Sequence, residues 1–538
     1  MLHGIAAAPG LTIGSAHVIH PAPQIDITAQ RTGDSSVETT RLAQAIQQAI
    51  TRMDALQQAA SGAIADILAA QREMLDDPEL KQGADELIAA GFTAEAAVTR
   101  VATGYAEQLA AIPDPYLAAR AEDVHEAGRR IVSELRGITR DIRLERPSIL
   151  VAQDLAPAET VGLNPELLQA IVTETGSATG HLAIVAQGLG IPAVVGVADV
   201  LAQIDEGTML IVNGDNGTVT VDPDEESQTQ AELHIATAQR DRHDLEIYRD
   251  LPGMTANGLR VEVFANIGSL AEAHKAIEMG AEGVGLFRTE FIAARGLPSE
   301  DAQFAIYKEI AAALQRPLIV RTFDIGGDKP VPGLDIPAEA NPFLGWRGIR
   351  LALDRPDEVF LPQIRAILRV AATCDLRLML PMVTVPQEVE AARILIDQAV
   401  KDLEYSGYAV RRVPIGIMVE TPAAAVTLDQ FRGLIDFASI GTNDLTQYTY
   451  AVDRTNTHVR ERAKPLGTAI LRLIAQICHA GVPVAVCGQL AGNVEAIPLL
   501  VGLGVRELSV APAHVPTVKR VLSTMTLSEM QTQAQLVL

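Results

Sequence analysis

Little in this chain points to a disulfide scaffold, a nucleic-acid binder or a membrane span. Three cysteines (Cys374, Cys478, Cys487) in 538 residues are too few for a disulfide framework and lack metal-finger spacing, which fits a reducing compartment. Basic residues are in deficit: 43 Lys and Arg face 67 Asp and Glu, for a net charge of −24. A phosphate backbone demands clustered cations, so the balance argues against nucleic-acid partners, and the acidic surface is read as solubility. Aromatics supply only 4% of residues against 48% apolar ones, so the cores must be built from Ala, Leu, Ile and Val, which suits helices and parallel strands. No run of about 18 apolar residues occurs, so no membrane insertion is expected. The opening MLHGIAAAPGLTIG has no basic segment followed by a long apolar one, so no signal peptide is expected and the expected location is cytoplasmic.

The length suits two to four domains. The first 20 residues read as strand, turn, strand, with Gly and Pro as punctuation. From about Ser35 to Leu135 the pattern is helical and fits about four helices, one of them a long amphipathic helix in TTRLAQAIQQAITRMDALQQAASGAIADIL. Breaks are expected at Asp77-Pro78, Ala90-Gly91 and Ile112-Pro113-Asp114-Pro115. Beyond Arg146, short strand-like and helical runs return (SILVAQDL, AIVTETG, HLAIVAQGLG, PAVVGV, TMLIVNG, GTVTVDP). One α/β domain interrupted by a helical insert is the simplest arrangement. The acidic, Gln-rich stretch Pro223 to Asp250 reads as a solvated helical linker. From Leu259 onward seven strands alternate with helices (VEVFANI, EGVGLF, PLIVRTF, LRLMLPMV, PIGIMV, DFASIG, PVAVCG), and an eighth is placed at Phe343–Ile349. That count suits a closed (β/α)8 barrel, with a doubly wound open sheet as the alternative.

Several of these runs stop at a polar residue, which is where a parallel barrel displays its functional groups: Arg288, Arg321, Glu420, Asn443 with Asp444, and Cys487. Glu420 and Asp444 are 24 residues apart, close to one βα repeat, so they fall on adjacent strand ends. Two carboxylates there can hold a hard divalent ion, and they can equally cap the following helices. Arg288, Arg321 and Arg454 can grip a small anion through paired N–H donors, whereas Arg347 and Arg350 stand evenly between that role and salt bridging. Cys487 ends the last of the strands identified. Its thiol can donate a proton or act as a nucleophile, or simply fill buried space. In TETGSATGHLAIVAQGLG, a Gly/Ser/Thr turn leads into an apolar run with His181 at the junction. This places the imidazole at a helix N-terminus, either as a polar cap or beside a bound phosphate.

The segments GLFRTEFI, RTFDIGGDKP, NPFLGWRGIR, IGIMVETPAA, IGTNDLTQYTYAVDR and VAVCGQLAGN closely resemble enzyme I of the bacterial phosphotransferase system, the phosphoenolpyruvate-protein phosphotransferases. GIAAAPGLTIG, REMLDDPEL and DPYLAARAEDVHEAGRR extend the resemblance over nearly the whole chain. It implies a multidomain α/β protein: a swivelling phosphohistidine α/β domain over residues 1–22 and 143–223, and a helical insert over 23–142 that docks the carrier protein HPr. A linker helix over 224–252 and a TIM barrel over 253–538 complete it. It further implies that the barrel binds phosphoenolpyruvate with Mg2+, that Glu420 and Asp444 are the metal ligands, and that Arg288, Arg321, Asn443 and Arg454 hold the phosphate and carboxylate. Cys487 matches the acid that protonates the enolate, His181 the residue that takes the phosphoryl group, and a homodimer through the barrel is expected.

The chain departs from the family pattern in places. The usual Gly-Gly-x-Thr-Ser-His loop reads Gly176-Ser177-Ala178-Thr179-Gly180-His181 here, and Gln187 replaces an Arg six residues after the histidine. Gln71 stands where the insert commonly has His, and Gln489 and Asn493 replace Glu and Asp near the thiol. Losing the Arg should weaken phosphohistidine stabilisation and slow transfer, since a charge-assisted hydrogen bond is worth roughly 1.5–3 kcal/mol. Two alternatives are a regulatory phosphorelay with weak turnover and another phosphoenolpyruvate-utilising enzyme such as pyruvate phosphate dikinase. The latter would need a nucleotide-binding domain, and the helical N-terminal region lacks a Gly-rich phosphate loop.

Overall fold

The computed structural model describes residues 1–20, 25–59, 63–111, 115–138, 142, 144–155, 159, 163–164, 166–177, 181–294, 296–456 and 458–538. They form two compact units, residues 1–240 and 241–538. Among the described residues no helix is long and apolar enough to cross a membrane.

The first unit holds a mixed sheet of eight strands: β1 Leu2–His3, β2 Ile5–Ala8, β3 Leu11–Ile19, β4 Ser148–Ala152, β5 Leu168–Thr173, β6 Ala193–Val195, β7 Met209–Asn213 and β8 Thr218–Val221. Their order is β1-β8-β7-β3-β4-β5-β6-β2. The central β4, SILVA, is buried at every position, as a strand covered on both faces must be. Strands β3 and β4 are parallel neighbours, with Ala16 opposite Ile149 and Val18 opposite Val151, although more than 120 residues separate them in sequence. The helices intervene there: Ser35–Ala59, Ala63–Leu75, Pro78–Ala89, Ala94–Ala110 and Pro115–Arg136, five spans where the sequence suggested about four. The segment read as one long helix is described as two, with residues 60–62 outside the described set.

Local chemistry sets the helix ends. The Asp77 carboxylate accepts from the Glu79 amide (2.8 Å) with Pro78 at the first helical position, and Thr93 Oγ1 accepts from the Ala96 amide (3.3 Å). Gly91, between these two helices, has φ of +109°, which an L side chain rarely adopts. The expected break at Ile112 to Asp114 lies outside the described residues. Leu42, Ala49, Met53, Leu68, Ile88, Val98 and Ile131 form a core of their own for the helices. The acidic stretch is a single helix, Glu225–Arg249, and is mostly exposed.

The second unit is a closed barrel of eight parallel strands: β9 Glu262–Ile267, β10 Val284–Arg288, β11 Leu318–Arg321, β12 Leu376–Leu380, β13 Ile415–Val419, β14 Phe437–Ile440, β15 Val484–Val486 and β16 Glu507–Val510. The seven expected strands are β9 to β15. The eighth is not at Phe343–Ile349, where a 3-10 turn (Pro342–Leu344) and the start of helix Ile349–Asp354 are found. It is β16, which closes the ring by pairing Glu507 with Glu262 and Val510 with Ala265. Cys487 therefore follows the seventh strand rather than the last. Leu286, Ile319, Met379, Met418, Phe437 and Cys487 pack inside the barrel, and its outer surface is sealed by the helices.

Candidate functional site

The C-terminal ends of the barrel strands surround a cavity of about 770 Å3 lined by Arg288, Arg321, Glu420, Asn443, Asp444, Arg454 and Cys487, seven of the eight residues singled out in the sequence. Arg288 and Arg321 are the last residues of β10 and β11; Glu420 and Cys487 immediately follow β13 and β15. Asn443 and Asp444 lie in the first turn of helix Thr442–Tyr450, one residue beyond the Gly441 that follows β14. A Cβ on Gly441 would stand 2.9 Å from Glu420 Cβ and 3.0 Å from its Oε2, so only glycine allows the two strand ends this close.

The charges at the mouth are interlocked. Arg321 donates to Glu290 Oε1 (2.9 Å) and its Nη1 lies 3.3 Å from Met418 Sδ, while its buried Nε has no hydrogen-bond partner. The fully buried Asp324 receives two bonds from Arg347, Nε at 3.1 Å and Nη2 at 2.7 Å, and pairs with Lys329. Arg347 also holds Asp328 (2.8 Å) and comes within 3.9 Å of Asp444 Oδ1. Burial works against ionising Asp324, but Lys329, Arg321 and Arg347 overcome it and hold the carboxyl far below the usual range. Arg347, left undecided between anion grip and salt bridge, is thus a buried bridging cation here.

Glu420 shows the opposite. Burial, then the charges of Asp444 and Asp324, push its carboxyl up to about 8, against the pull of Arg321 and the Met382 amide that donates to Oε1 (2.7 Å). Asp444 Oδ2 is 3.4 Å from Arg454 Nη1, and its buried Oδ1 has no hydrogen-bond partner. Two buried carboxylates that repel, one of them with an orphaned oxygen, make a donor set that suits a hard divalent cation. Among the described residues no group of three or more His, Cys, Asp or Glu is placed to hold a metal. The two carboxylates would therefore be completed by water and substrate oxygens, as Mg2+ tolerates.

Asn443 Oδ1 accepts from the Gln489 amide (3.1 Å), which ties the loop after β15 to that after β14. Asn266 donates to the carbonyls of Cys487 (2.9 Å) and Ser509 (3.1 Å), fixing the backbone that carries the thiol. Burial pushes the Cys487 thiol up to about 11, so it is protonated at neutral pH.

Three family models match, described as PEP-utilising enzyme, PEP-binding domain (residues 242–527), N-terminal (3–120) and mobile domain (144–217). The chain is 36% identical to the phosphoenolpyruvate-protein phosphotransferase of Staphylococcus carnosus, over 98% of this chain and 95% of that one. The chain belongs to the phosphoenolpyruvate-protein phosphotransferase family. The enzyme of the same name from Geobacillus stearothermophilus is 37% identical over 96% of this chain and 91% of its own length. A multiphosphoryl transfer protein of Rhodobacter capsulatus is 41% identical over 86% of this chain and 56% of its own.

In this phosphotransferase His181, the eighth residue singled out, lies in the other unit. It opens helix His181–Leu189, as the turn-then-apolar pattern predicts; its side chain and loop residues 178–180 lie outside the described set. Gln187, one and a half turns along that helix, donates to the Ala7 carbonyl of β2 (2.8 Å). Gln71 is buried in the helical insert, with an unpartnered Oε1. Sequence reasoning gave no role to Glu290, Asp324 and Lys329, which organise the arginines. All three fall within GLFRTEFI and RTFDIGGDKP; for Glu290 and Asp324, two and three residues past the ends of β10 and β11, a polar residue just beyond a strand end was the available signal.

Proposed function

We propose that the barrel mouth binds phosphoenolpyruvate together with Mg2+, that His181 accepts its phosphoryl group, and that the group then passes to a histidine of an HPr-like carrier docked on the helical insert of residues 23–142. The observation that carries this is the convergence of three arginines, two carboxylates and a protonated thiol on one cavity, in a chain of this family. Arg288, Arg321, Asn443 and Arg454 would hold phosphate and carboxylate; Arg guanidiniums stay charged when buried and donate in pairs. Glu420 and Asp444 would hold Mg2+, which when bound supplies Lewis-acid neutralisation of the phosphate oxygens.

Phosphoryl transfer then asks the chain mainly for alignment and charge neutralisation. The phosphorus–enol oxygen bond breaks as a bond from phosphorus to the His181 imidazole forms. The enolate left behind takes a proton at carbon 3 from the Cys487 thiol, which yields pyruvate, and the thiolate regains its proton from solvent. Gln187 spends its amide on the Ala7 carbonyl, and it is neutral, so it supplies no cation for phosphohistidine.

Incubation with phosphoenolpyruvate and Mg2+ followed by mass spectrometry should place one phosphate on His181, absent in His181→Ala, and an HPr-like acceptor should remove it. Gln187→Arg should label faster; no label on His181 overturns the reading.

The metal assignment has a pH signature. Glu420 binds a proton below about pH 8, so a cation must displace it. Mg2+ affinity should rise about tenfold per pH unit up to that value and then level off, with one proton released per ion below it. Calorimetry in buffers of different ionisation enthalpy reads the proton. In Glu420→Gln the pH slope should vanish with the affinity, and an unaltered slope would remove Glu420 from the ligand set.

A further inference from the structure

We infer that Phe343 is a positioning residue for Arg454, an inference that rests on reading Arg454 as an anion grip. Arg454 sits on the loop after helix Thr442–Tyr450, and its half-exposed side chain has two neighbours that fix it. One is Asp444 Oδ2, 3.4 Å from Nη1; the other is the Phe343 ring, whose centroid is 5.9 Å from the guanidinium carbon. The ring face offers the cation a second attraction within the range of such contacts.

The turn that presents the ring, Pro342–Leu344, is pinned from two directions. Tyr448, one helical turn after Asp444 on the same helix, donates its hydroxyl to the Phe343 carbonyl. On the other side Gly327, at φ of +57°, approaches so closely that a Cβ there would lie 2.2 Å from the Pro342 carbonyl oxygen. The helix that carries the Asp444 carboxylate therefore also fixes the ring, so one element sets both partners between which the Arg454 guanidinium is held. Without the ring, the long 3.4 Å bond to Asp444 would be the stronger remaining restraint on Arg454, and tightening it would neutralise more of that carboxylate and turn the cation from the substrate.

Trp346, the sole tryptophan, lies three residues further on, with its indole N–H on Asp354 Oδ2 (2.8 Å), so its fluorescence reports on this segment. Phosphoenolpyruvate titrated in the presence of Mg2+ should bind Phe343→Ala roughly threefold to tenfold more weakly. KM should rise by the same factor, with kcat within about twofold and the thermal midpoint little changed. Phe343→Leu, which keeps apolar bulk without a ring face, should behave as Phe343→Ala, and Phe343→Trp should bind as the parent. Parent-like binding in both Phe343→Ala and Phe343→Leu overturns the inference, as does a Phe343→Leu that alone is parent-like, since packing would then suffice. Arg454→Ala is the control. If it binds normally, the anion-grip reading fails and takes this inference with it; if it binds weakly while Phe343→Ala does not, only the positioning role fails.

Discussion

Replacing Asp324 by Asn should cost on the order of 3–5 kcal/mol of stability, because it removes one of the two close counter-charges of a fully buried cation and the shared partner of Arg321 and Lys329. Arg347 is wholly buried and gives three of its N–H groups to Asp324 and Asp328. With an amide in place of the Asp324 carboxylate it keeps one full counter-charge, on Asp328, and the Asp444 oxygen 3.9 Å away. Arg321, 3.7 Å from Asp324, would lean further on Glu290, and Lys329 would lose its partner. The barrel's thermal midpoint should fall by roughly 10 °C, on the scale of 2–4 °C per kcal/mol for a unit of this size. Phosphoenolpyruvate turnover should fall at least tenfold as the cations shift. Three cations hold the carboxyl charged far below neutrality, so Asp324 does not itself titrate between pH 6 and pH 8. Losing its charge relieves Glu420, so the loss of stability should be somewhat smaller at pH 8 than at pH 6. An Asp324→Asn protein that melts with the parent would show that the network is not what holds these cations.

The fold was legible where burial imposes one unambiguous pattern. The strand IGIMV is apolar throughout, and LRLML is apolar except at the half-buried Arg377, because helices cover one face and the barrel interior the other. β16 escaped notice because it is four residues long and opens with Glu507, a carboxylate that burial drives up to about 7 and that no periodicity argument would place in a core. NPFLGWRGIR, where the eighth strand was placed, instead forms a turn fastened by Tyr448 and Gly327, the former 105 positions from Phe343. The insertion between β3 and β4 was visible only as a change of period, helical and then strand-like. Their pairing as neighbours is a tertiary fact.

At the site, the residues that would face a ligand were easier to find than those that hold them. A polar side chain at the end of an apolar run is visible in one dimension, which is why Arg288, Arg321, Glu420, Asp444 and Cys487 stood out. Asp324 and Arg347 lie 23 residues apart, and their bidentate pairing depends on how the β11 loop folds back, which the antiparallel bridges from Gly326 to Lys329 and Arg347 record. Glu290 likewise reads as a strand-end acid, but it serves as a brace, accepting both the Arg321 guanidinium and the Asp324 amide.

Cys487→Ala should separate the two halves of the reaction. The thiol sits 3.7 Å from the Ile440 carbonyl, among Leu286, Ile319, Met379, Met418 and Phe437, and burial keeps it protonated to about pH 11. A buried S–H is a poor nucleophile but a sound donor to a carbanion, a stronger base, at carbon 3. Removing it should slow pyruvate formation by roughly 100- to 10,000-fold, the usual worth of a positioned general acid. Substrate binding, which the proposed reading assigns to Arg288, Arg321, Asn443 and Arg454, should stay within a few-fold. The decisive measurement is hydrogen–deuterium exchange at carbon 3 of pyruvate, which needs the acid and base but no phosphoryl acceptor. The parent should catalyse it with Mg2+ present, and the Ala variant should not. Ser in place of Cys should recover little, because a hydroxyl in the same apolar setting gives up its proton far less readily. Exchange at the parent rate in Cys487→Ala would assign the proton to another group at the mouth and leave the thiol as packing.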